Sequence, residues 1–259
     1  MRRGLRDPKV ELRLATFNIR NVSDRYDERK PLLGAAFAEI EADIIGLQEV
    51  MFSEPRQDDF LSAQLAERHY RSFASHHEKY TNFGNAILCG VGEVLAHEET
   101  RLSHGRSAQR VLIALAGGQM LWFANTHLHH KPEEPDVRVA QAKAVAEWMG
   151  AAPEADVTVI AGDFNTPPHE PAYGVMLAAG YRSAFAEANG REPDVTWPSG
   201  IQAETMDTEG DPNCLDYLWL RGRCRAAKAW IAANEHPAGD ATIYPSDHFA
   251  VVARVDAGR

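Results

Sequence analysis

The stretch Val159–Ile160–Ala161–Gly162–Asp163–Phe164–Asn165–Thr166–Pro167–Pro168 joins an apolar run to a polar turn. Its β-branched residues predict a buried strand that ends at Gly162, and the double proline after Thr166 cannot continue a sheet or a helix. If the backbone stays extended from Asp163 to Asn165, both side chains point to the same side. Open α/β folds place their chemistry at such strand ends, although an Asx-rich turn that only closes the strand is the alternative interpretation.

Length and composition are those of an ordinary globular protein, with 259 residues, 44% hydrophobic and 25% charged. No linker or low-complexity segment divides the sequence, so we expect a single domain over residues 1–259. The net charge of −10 argues against a surface built for broad electrostatic capture of nucleic acid or anionic membrane. A local phosphate site is compatible with this charge, because bound divalent cations reverse the local potential.

The three cysteines, Cys89, Cys214 and Cys224, are odd in number and show no Cys-x-x-Cys spacing. We therefore expect buried thiols in a reducing compartment rather than disulfides or a structural zinc site. Residues 1–11 contain arginines but no apolar segment, and no run of the sequence is long enough to span a bilayer. The expected location is the cytoplasm, although removal of a signal peptide would leave the same sequence.

Hydrophobic periodicity divides the chain into many strands and a few helices. Strands are predicted at residues 10–20, 43–50, 70–73, 85–88, 91–95, 110–116, 120–127, 157–162, 215–220, 226–232 and 249–255. Helices are predicted at residues 30–42, 55–69, 136–149 and 171–179. Residues 191–213 are polar and rich in proline and glycine, which predicts a long surface loop. Paired strands broken by a few helices predict an α/β fold in which two sheets pack together with helices outside.

Polar side chains recur where the apolar strands end, and each of them taken alone also fits a turn cap, a solvated strand end or a structural histidine. Together they supply carboxylates for a hard cation, amides that orient oxygen atoms and two imidazoles for proton transfer. This is an inventory for phosphoryl chemistry. The residues are Asn18, Glu49, His127, Asp163, Asn165, Asp216, Asp247 and His248.

Six short motifs that contain these residues occur in order along the chain. They are Thr16–Phe17–Asn18–Ile19–Arg20, Gly46–Leu47–Gln48–Glu49–Val50, Asn125–Thr126–His127–Leu128, Gly162–Asp163–Phe164–Asn165, Leu215–Asp216–Tyr217 and Ser246–Asp247–His248–Phe249. The set is similar to that of the endonuclease/exonuclease/phosphatase superfamily, which includes DNase I, AP endonucleases and neutral sphingomyelinases. The resemblance implies a four-layered α/β sandwich of two packed, mostly antiparallel β-sheets flanked by helices. It also implies hydrolysis of a phosphate ester with Mg²⁺, for which Mn²⁺ can substitute.

The resemblance further implies a metal site. Glu49 would be the principal ligand, with Asn18 beside it and Asp247 nearby. One or two carboxylates that leave several water ligands in place are what Mg²⁺ prefers in proteins. Loss of Glu49 should therefore abolish activity or greatly raise the Mg²⁺ requirement.

The same resemblance assigns the proton transfers. His248 would act as general base on the attacking water, held by Asp216, whose carboxylate fixes the imidazole tautomer and favours its protonated form. Asp163 and Asn165 would position the water and the phosphate, or Asp163 itself would activate the water. His127 would bind a non-bridging oxygen or protonate the leaving group.

Four further residues are candidates for substrate contact. An extended backbone would place His129 on the same face as His127, where it would touch substrate or a second metal. Asn85 falls where members of the superfamily often line the cleft. Arg20 could bind a phosphate through its bidentate guanidinium or pair with a surface carboxylate. Trp197, in the long loop, could stack on a base or anchor its own loop.

The substrate is less well defined by the sequence. The tryptophan of the Trp-x-Gly-Asp-x-Asn pattern typical of inositol phosphatases is absent, because Ile160 occupies its position, and Ala250 replaces the proline of AP endonucleases. Nucleic acid is the first expectation for a phosphodiester substrate, and a lipid head group, as in sphingomyelinases, or a small phosphate ester is the alternative. A catalytically silent binding module and a zinc hydrolase built on His127, His129 and His130 are the other readings.

Overall fold

The computed structural model describes residues 10–204 and 211–258. Its helices are α1 (Tyr26–Ile40), α2 (Gln57–Ala63), α3 (Pro135–Gly150), α4 (Pro171–Ala178) and α5 (Ala184–Asn189). Its strands are β1 (Val10–Asn18), β2 (Ile44–Met51), β3 (Arg71–His76), β4 (Phe83–Cys89), β5 (Glu93–Arg101), β6 (Ser107–Ala114), β7 (Met120–His127), β8 (Val157–Asp163), β9 (Arg182–Ser183), β10 (Asp216–Gly222), β11 (Cys224–Ala232) and β12 (Ala250–Ala257).

These strands form two six-stranded sheets with the same arrangement in the part of the chain that is described. The first has the order β11-β12-β1-β2-β4-β3 and the second the order β5-β6-β7-β8-β10-β9. In each sheet one central pair is parallel, β1 with β2 and β7 with β8, and the other neighbours are antiparallel. A helix connects each parallel pair, α1 in the first sheet and α3 in the second.

Alternation along each strand produces the layers. In β1, Leu12 and Leu14 belong to the apolar cluster between the two sheets, whereas Ala15 and Phe17 belong to the cluster that α1 and α2 cover. Successive side chains of a strand point to opposite faces, so one strand supplies both layers. On the second sheet, α3 and α4 cover a third cluster. The predicted four-layered α/β sandwich, with two mostly antiparallel sheets flanked by helices, is therefore confirmed.

Some predicted elements differ in the structure. The helix expected at 55–69 ends as α2 at Ala63, because Leu65 leaves the helical conformation with φ −132° and packs into the cluster under α1. A short 3-10 helix, Ala66–Arg68, follows. The elements β9 and α5 were not predicted, since their residues show no periodicity long enough to recognise.

The loop expected at the surface is partly buried. Thr196 and Ile201 are buried, and Trp197 pairs with Asn213 as an isolated β-bridge. The hydroxyl of Thr196 accepts the backbone N–H groups of Leu215 and Asp216, at 2.8 and 3.2 Å, so the loop packs onto the start of β10. Residues 205–210 of this loop and residues 1–9 lie outside the described part of the chain. Within that part, no helix combines the length and the apolar character needed to cross a membrane.

Candidate active site

The carboxyl ends of the parallel strands bring the motif residues to one edge of the molecule. Asn18 ends β1, His127 ends β7 and Asp163 ends β8, while Asp216 lies opposite Asp163 at the start of the antiparallel β10. A cleft of about 1320 Å³ opens above them. Distant parts of the sequence thus converge where an open α/β sheet usually places its ligand.

Gly162 allows the close approach of β7 and β8 beneath the cleft. A Cβ atom at this position would lie 2.3 Å from the carbonyl oxygen of Thr126, which is too close for any residue with a side chain. The glycine therefore belongs to the strand itself, and the strand continues through Asp163 before the turn. The close packing of β7 and β8 at this glycine brings Asp163 opposite His127 in the parallel pair.

Asp163 is the centre of the buried cluster. Its Oδ2 accepts a hydrogen bond from Asn18 Nδ2 at 3.0 Å and faces the Nε2 atoms of His127 and His248 at 3.4 and 3.7 Å. Burial raises the pKa of the Asp163 carboxyl above its usual range; nearby Asp216 acts in the same direction and His248 in the opposite one. A buried carboxyl with a raised pKa beside two imidazoles is typical of residues that exchange protons.

Asn165 does not extend the strand, so the assumption of an extended backbone through this residue is wrong. Its φ is +47°, in the left-handed region that Asn adopts more readily than most residues, because the chain turns immediately after β8. The backbone N–H of Asn165 donates to Asp163 Oδ1 at 2.9 Å, and its side-chain Nδ2 donates to the Leu128 carbonyl at 3.2 Å. Asn165 still lines the cleft beside Asp163.

Asp216 and His248 form a buried pair, with 2.9 Å between Asp216 Oδ2 and His248 Nδ1. Burial lowers the pKa of His248, but the carboxylates of Asp216, Asp163 and Asp247 outweigh it and raise that pKa to about 10. The imidazole is therefore protonated at neutral pH. The Nδ1 hydrogen bond leaves Nε2 facing Asp163 and the cleft.

The His127 imidazole, in contrast to that of His248, is neutral at pH 7. Burial, followed by the charges of Arg106 and His248, lowers the pKa of His127 well below its ordinary value. A neutral imidazole and a protonated one therefore flank the Asp163 carboxylate. Groups whose environments separate their pKa values in this way are typical of acid–base sites.

Glu49 reaches the cleft through an irregularity in β2. The register against β4 shifts between Leu47 and Val50, and Glu49 has φ +57°, a strained conformation for a side chain of this size. Its carboxylate lies 3.4 Å from Asn18 Nδ2 and 2.8 Å from Asn21 Nδ2. The side chain is half-buried and lines the cleft.

Asn18 lies between the two acids. Its Nδ2 faces both Glu49 and Asp163, while its Oδ1 accepts the backbone N–H of Arg20 at 3.1 Å. In this orientation Asn18 bridges the two carboxylates through its amide nitrogen. Its assignment as a metal ligand through oxygen stays a prediction.

Asp247 lines the cleft as a buried carboxylate. It accepts a hydrogen bond from Ser246 Oγ at 3.2 Å and lies 3.6 Å from the Arg20 guanidinium. Together with Glu49 it supplies the oxygen ligands that Mg²⁺ and Mn²⁺ prefer over nitrogen or sulfur. The donor chemistry thus fits a hard divalent ion, and a second possible ligand set is formed by Asp163, Asp216 and His248.

The remaining candidates lie in different places. Arg20 lines the cleft and also pairs with Asp24 at 2.7 Å. Asn85 is buried in β4 and is not among the residues described as lining the cleft. His129 lines the cleft as well, but β7 ends at His127 and the His129 Nε2 lies 2.8 Å from Glu134. Its contact with substrate stays a prediction.

The three histidines considered for a zinc hydrolase do not converge. His127 faces Asp163, His129 faces Glu134, and His130 Nδ1 is 3.0 Å from the Arg106 guanidinium. This hypothesis is wrong as it was formulated.

Two polar residues near the site were not among the predicted site residues, although Asn125 belongs to one of the six motifs. Arg106 lines the cleft beside His127 and forms no ion pair within the described residues. Asn125 joins the two sheets beneath the site: its Nδ2 donates to the carbonyls of Leu47 and Ala86 at 2.8 and 2.9 Å, and its Oδ1 accepts from Gln48 at 2.6 Å. A polar residue inside the apolar run of β7 was the available signal for Asn125, whereas nothing local marks Arg106.

Comparisons with known proteins agree with this geometry. A model of the Endonuclease/Exonuclease/phosphatase family matches residues 15–248. The chain belongs to this family. Its members are phosphoester hydrolases that depend on a divalent metal, so the chain is an enzyme of the phosphate ester hydrolase class. No curated protein matches the sequence significantly.

Solved structures with the same fold have low sequence identity to this chain. An endonuclease/exonuclease/phosphatase from Bacteroides vulgatus is 22% identical, with a TM-score of 0.75 over 96% of this chain and 99% of that one. D. rerio TDP2 complexed with a single strand DNA product is 18% identical, with a TM-score of 0.76 over 95% and 98%. The human Nocturnin catalytic domain with bound sulfate is 20% identical, with a TM-score of 0.72 over 96% of each chain.

Proposed function

We propose that this enzyme is a Mg²⁺-dependent phosphodiesterase whose preferred substrate is nucleic acid. The observation that carries the proposal is the buried Asp163 carboxylate between a neutral and a protonated imidazole, beside the half-buried Glu49. A phosphoryl group bound there would meet a proton acceptor, a cationic donor and a metal-binding acid at once.

The metal would be held by Glu49 and Asp247, with Asn18 fixing the Glu49 carboxylate. When bound, Mg²⁺ supplies a Lewis acid that polarises a phosphoryl oxygen. The carboxylate donors suit both Mg²⁺ and Mn²⁺, so Mn²⁺ should be able to substitute. The strained backbone of Glu49 supports a functional assignment, since such strain concentrates at active sites.

Proton transfer would be divided among three residues. His248 was expected to act as general base, but a pKa of about 10 makes it a cation at neutral pH. We therefore propose that Asp163 accepts the proton of the attacking water. His248 would stabilise negative charge on the phosphoryl group. Neutral His127 would donate a hydrogen bond to a non-bridging oxygen.

Features of the cleft support a phosphodiester of nucleic acid. Arg106 and Arg20 place guanidinium groups along the cleft, and Arg106 lacks a carboxylate partner in the described chain. The Trp197 ring lies 6.5 Å from the His248 ring, measured between centroids, and is half-buried, as a stacking surface for a base requires. The cleft also exceeds the roughly 300–1,000 Å³ of common small-molecule pockets. The single strand DNA product bound to the similar TDP2 structure supports the same substrate class.

A substrate panel tests the proposal. Turnover of bis(p-nitrophenyl) phosphate, p-nitrophenyl phosphate, single-stranded DNA, single-stranded RNA and sphingomyelin would be measured with Mg²⁺, with Mn²⁺ and after EDTA treatment. We expect diester and nucleic acid cleavage that EDTA abolishes and Mg²⁺ restores. Cleavage of the monoester alone would exclude a phosphodiesterase, cleavage of sphingomyelin alone would favour the lipid alternative, and hydrolysis of no substrate would favour a binding module.

The Glu49→Gln variant provides the metal control. It keeps the size of the side chain and removes the charge, so we expect activity to require far more Mg²⁺ or to vanish. A wild-type Mg²⁺ response in this variant would refute the assignment of Glu49.

A further inference from the structure

A second cluster of metal-ligating side chains lies along the cleft, apart from the acids described above. It consists of His104, His129 and Glu134, whose ring nitrogens and carboxylate oxygen all lie within 4.8 Å of one another. The two histidines line the cleft. His129 Nε2 is 2.8 Å and His104 Nε2 3.9 Å from the same oxygen, Glu134 Oε2. The two imidazole centroids are 4.7 Å apart. The three side chains therefore converge on one small volume.

These distances fit a small metal ion. In a tetrahedral zinc site with bonds of roughly 2.0–2.1 Å, two ligand atoms lie about 3.3 Å apart. The observed separations of 2.8 and 3.9 Å from Glu134 Oε2 fall on either side of this value, so small changes in the side-chain torsions bring each histidine nitrogen to that distance from the oxygen. The other oxygen of Glu134 accepts from Lys131 Nζ at 3.2 Å, which leaves Oε2 for the cluster.

The scaffold around the cluster ties its members together. His104 lies between β5 and β6, His129 follows β7, and Glu134 precedes α3. Buried Gln141 of α3 accepts the backbone N–H of His129 at 2.8 Å and donates to the Ser103 carbonyl at 2.8 Å, so one side chain fixes both histidine-bearing segments. Preorganisation of this kind is what a metal site needs, because the ligands then lose little freedom on binding.

We propose that His104, His129 and Glu134 form a binding site for a transition-metal ion, Zn²⁺ in particular. Two imidazoles and one carboxylate are a donor set that suits Zn²⁺ and the late first-row metals better than Mg²⁺, which prefers oxygen. Three protein ligands leave one position open toward the cleft, as in zinc sites that bind water or a phosphate oxygen. The site is thus distinct in chemistry from the carboxylate site at Glu49, and it does not depend on the proposed phosphodiesterase activity.

Calorimetric titration with ZnCl₂ in excess Mg²⁺ tests the proposal on the full chain. We expect the wild type to bind one Zn²⁺ that Mg²⁺ does not displace. His104→Asn and Glu134→Gln should each weaken this binding at least about tenfold, the minimum cost of disturbing even the surroundings of a metal site. Asn is chosen because His104 has φ +60°, which Asn tolerates, so the variant should fold normally.

A matched control separates this site from general capture by cleft histidines. His77 also lines the cleft but packs on Tyr80, outside the cluster. We expect His77→Ala to bind Zn²⁺ as the wild type does. The visible spectrum of bound Co²⁺ should change in His104→Asn and Glu134→Gln but not in His77→Ala. Equal Zn²⁺ affinity in the wild type, His104→Asn and Glu134→Gln would overturn the proposal, as would absence of binding or an equal loss in His77→Ala.

Discussion

Two histidines that line the same cleft, His248 and His129, each pair with a carboxylate, and the two hydrogen bonds have nearly the same length. Asp216 Oδ2 lies 2.9 Å from His248 Nδ1, and Glu134 Oε2 lies 2.8 Å from His129 Nε2. The pKa of the first imidazole is nevertheless raised to about 10, whereas burial lowers the pKa of the second despite its hydrogen bond to Glu134. One pair holds a cation at neutral pH and the other a neutral ring.

The difference lies in the charges around each ring. His248 faces three buried carboxylates, those of Asp216, Asp163 and Asp247. Within the described residues the carboxylate that acts on His129 is that of Glu134, which is partly exposed and also pairs with Lys131, while His104 and Arg106 add positive charge. A single hydrogen bond therefore does not fix the charge of a histidine; the sum of buried charges does. The pairs are accordingly suited to different tasks, charge stabilisation at one and metal binding at the other.

The largest expected effect is on catalysis. His248→Gln should lower kcat/KM on the best diester substrate by roughly 10²–10⁴-fold, because the cationic imidazole beside the phosphate is lost. The corresponding change at the other pair, His129→Gln, should lower kcat/KM by less than about tenfold, since the hydrogen-bond partner of His129 in the described structure is Glu134 and not Asp163. Initial rates at saturating Mg²⁺ without added zinc give both values. Equal losses in the two variants would remove the distinction between the pairs.

A smaller effect on activity is expected when only the charge of the Asp216–His248 pair changes. Asp216→Asn keeps the shape of the pair but removes a carboxylate that raises the pKa of His248. We expect activity at pH 7 to fall by about 10²-fold or less and the decline of activity on the alkaline side to begin at a lower pH, because the imidazole loses its proton earlier. The pH dependence of kcat/KM checks this. A shift toward higher pH, or higher activity at neutral pH, would instead make neutral His248 the general base.

Burial should also determine how much an asparagine side chain contributes to the free energy of unfolding. Asn125 and Asn189 each donate side-chain hydrogen bonds to two backbone carbonyls, but Asn125 is buried between the sheets and Asn189 is exposed. Asn125→Ala should lower the free energy of unfolding by about 2–4 kcal/mol, because buried partners lose their hydrogen bonds without access to water. Asn189→Ala should cost less than about 1 kcal/mol. Urea denaturation measures both, and similar midpoints for the two variants would contradict the prediction.

The sequence predicted the fold well because the decisive signals are local or ordered along the chain. The apolar run before Gly162 predicted β8, and the six motifs predicted that Asn18, Glu49, Asp163 and His248 would meet. The structure brings these residues together through contacts between atoms far apart in sequence, such as Asn18 with Asp163.

What the sequence could not show depends on conformation or on summed charge. The left-handed backbone of Glu49 follows from a strand irregularity that its residue type does not indicate. For Asn165 the residue type allows the left-handed conformation, but only the turn after β8 requires it. The protonated state of His248 requires three carboxylates from separate segments. The partners of His129 were equally hidden, since His104 is 25 residues earlier in the chain and reaches it only through the packing of the loops beside the cleft.

The smallest expected effect is on the pH dependence of the free energy of unfolding, which should differ between the Asp216–His248 pair and the Glu134–His129 pair. The pKa of His248 is raised from about 6.5 in the unfolded chain to about 10 in the fold, so its pair contributes fully below pH 6.5 and loses that contribution as the pH rises toward 10. The difference in unfolding free energy between the wild type and His248→Gln should therefore shrink across this interval. For His129, whose pKa is lowered, the corresponding difference should stay constant above pH 6.5, because the ring is neutral in both states. Thermal or urea unfolding from pH 6 to 10 measures both differences, and a His248 difference that stays constant or grows with pH would show that the imidazole is not held as a cation.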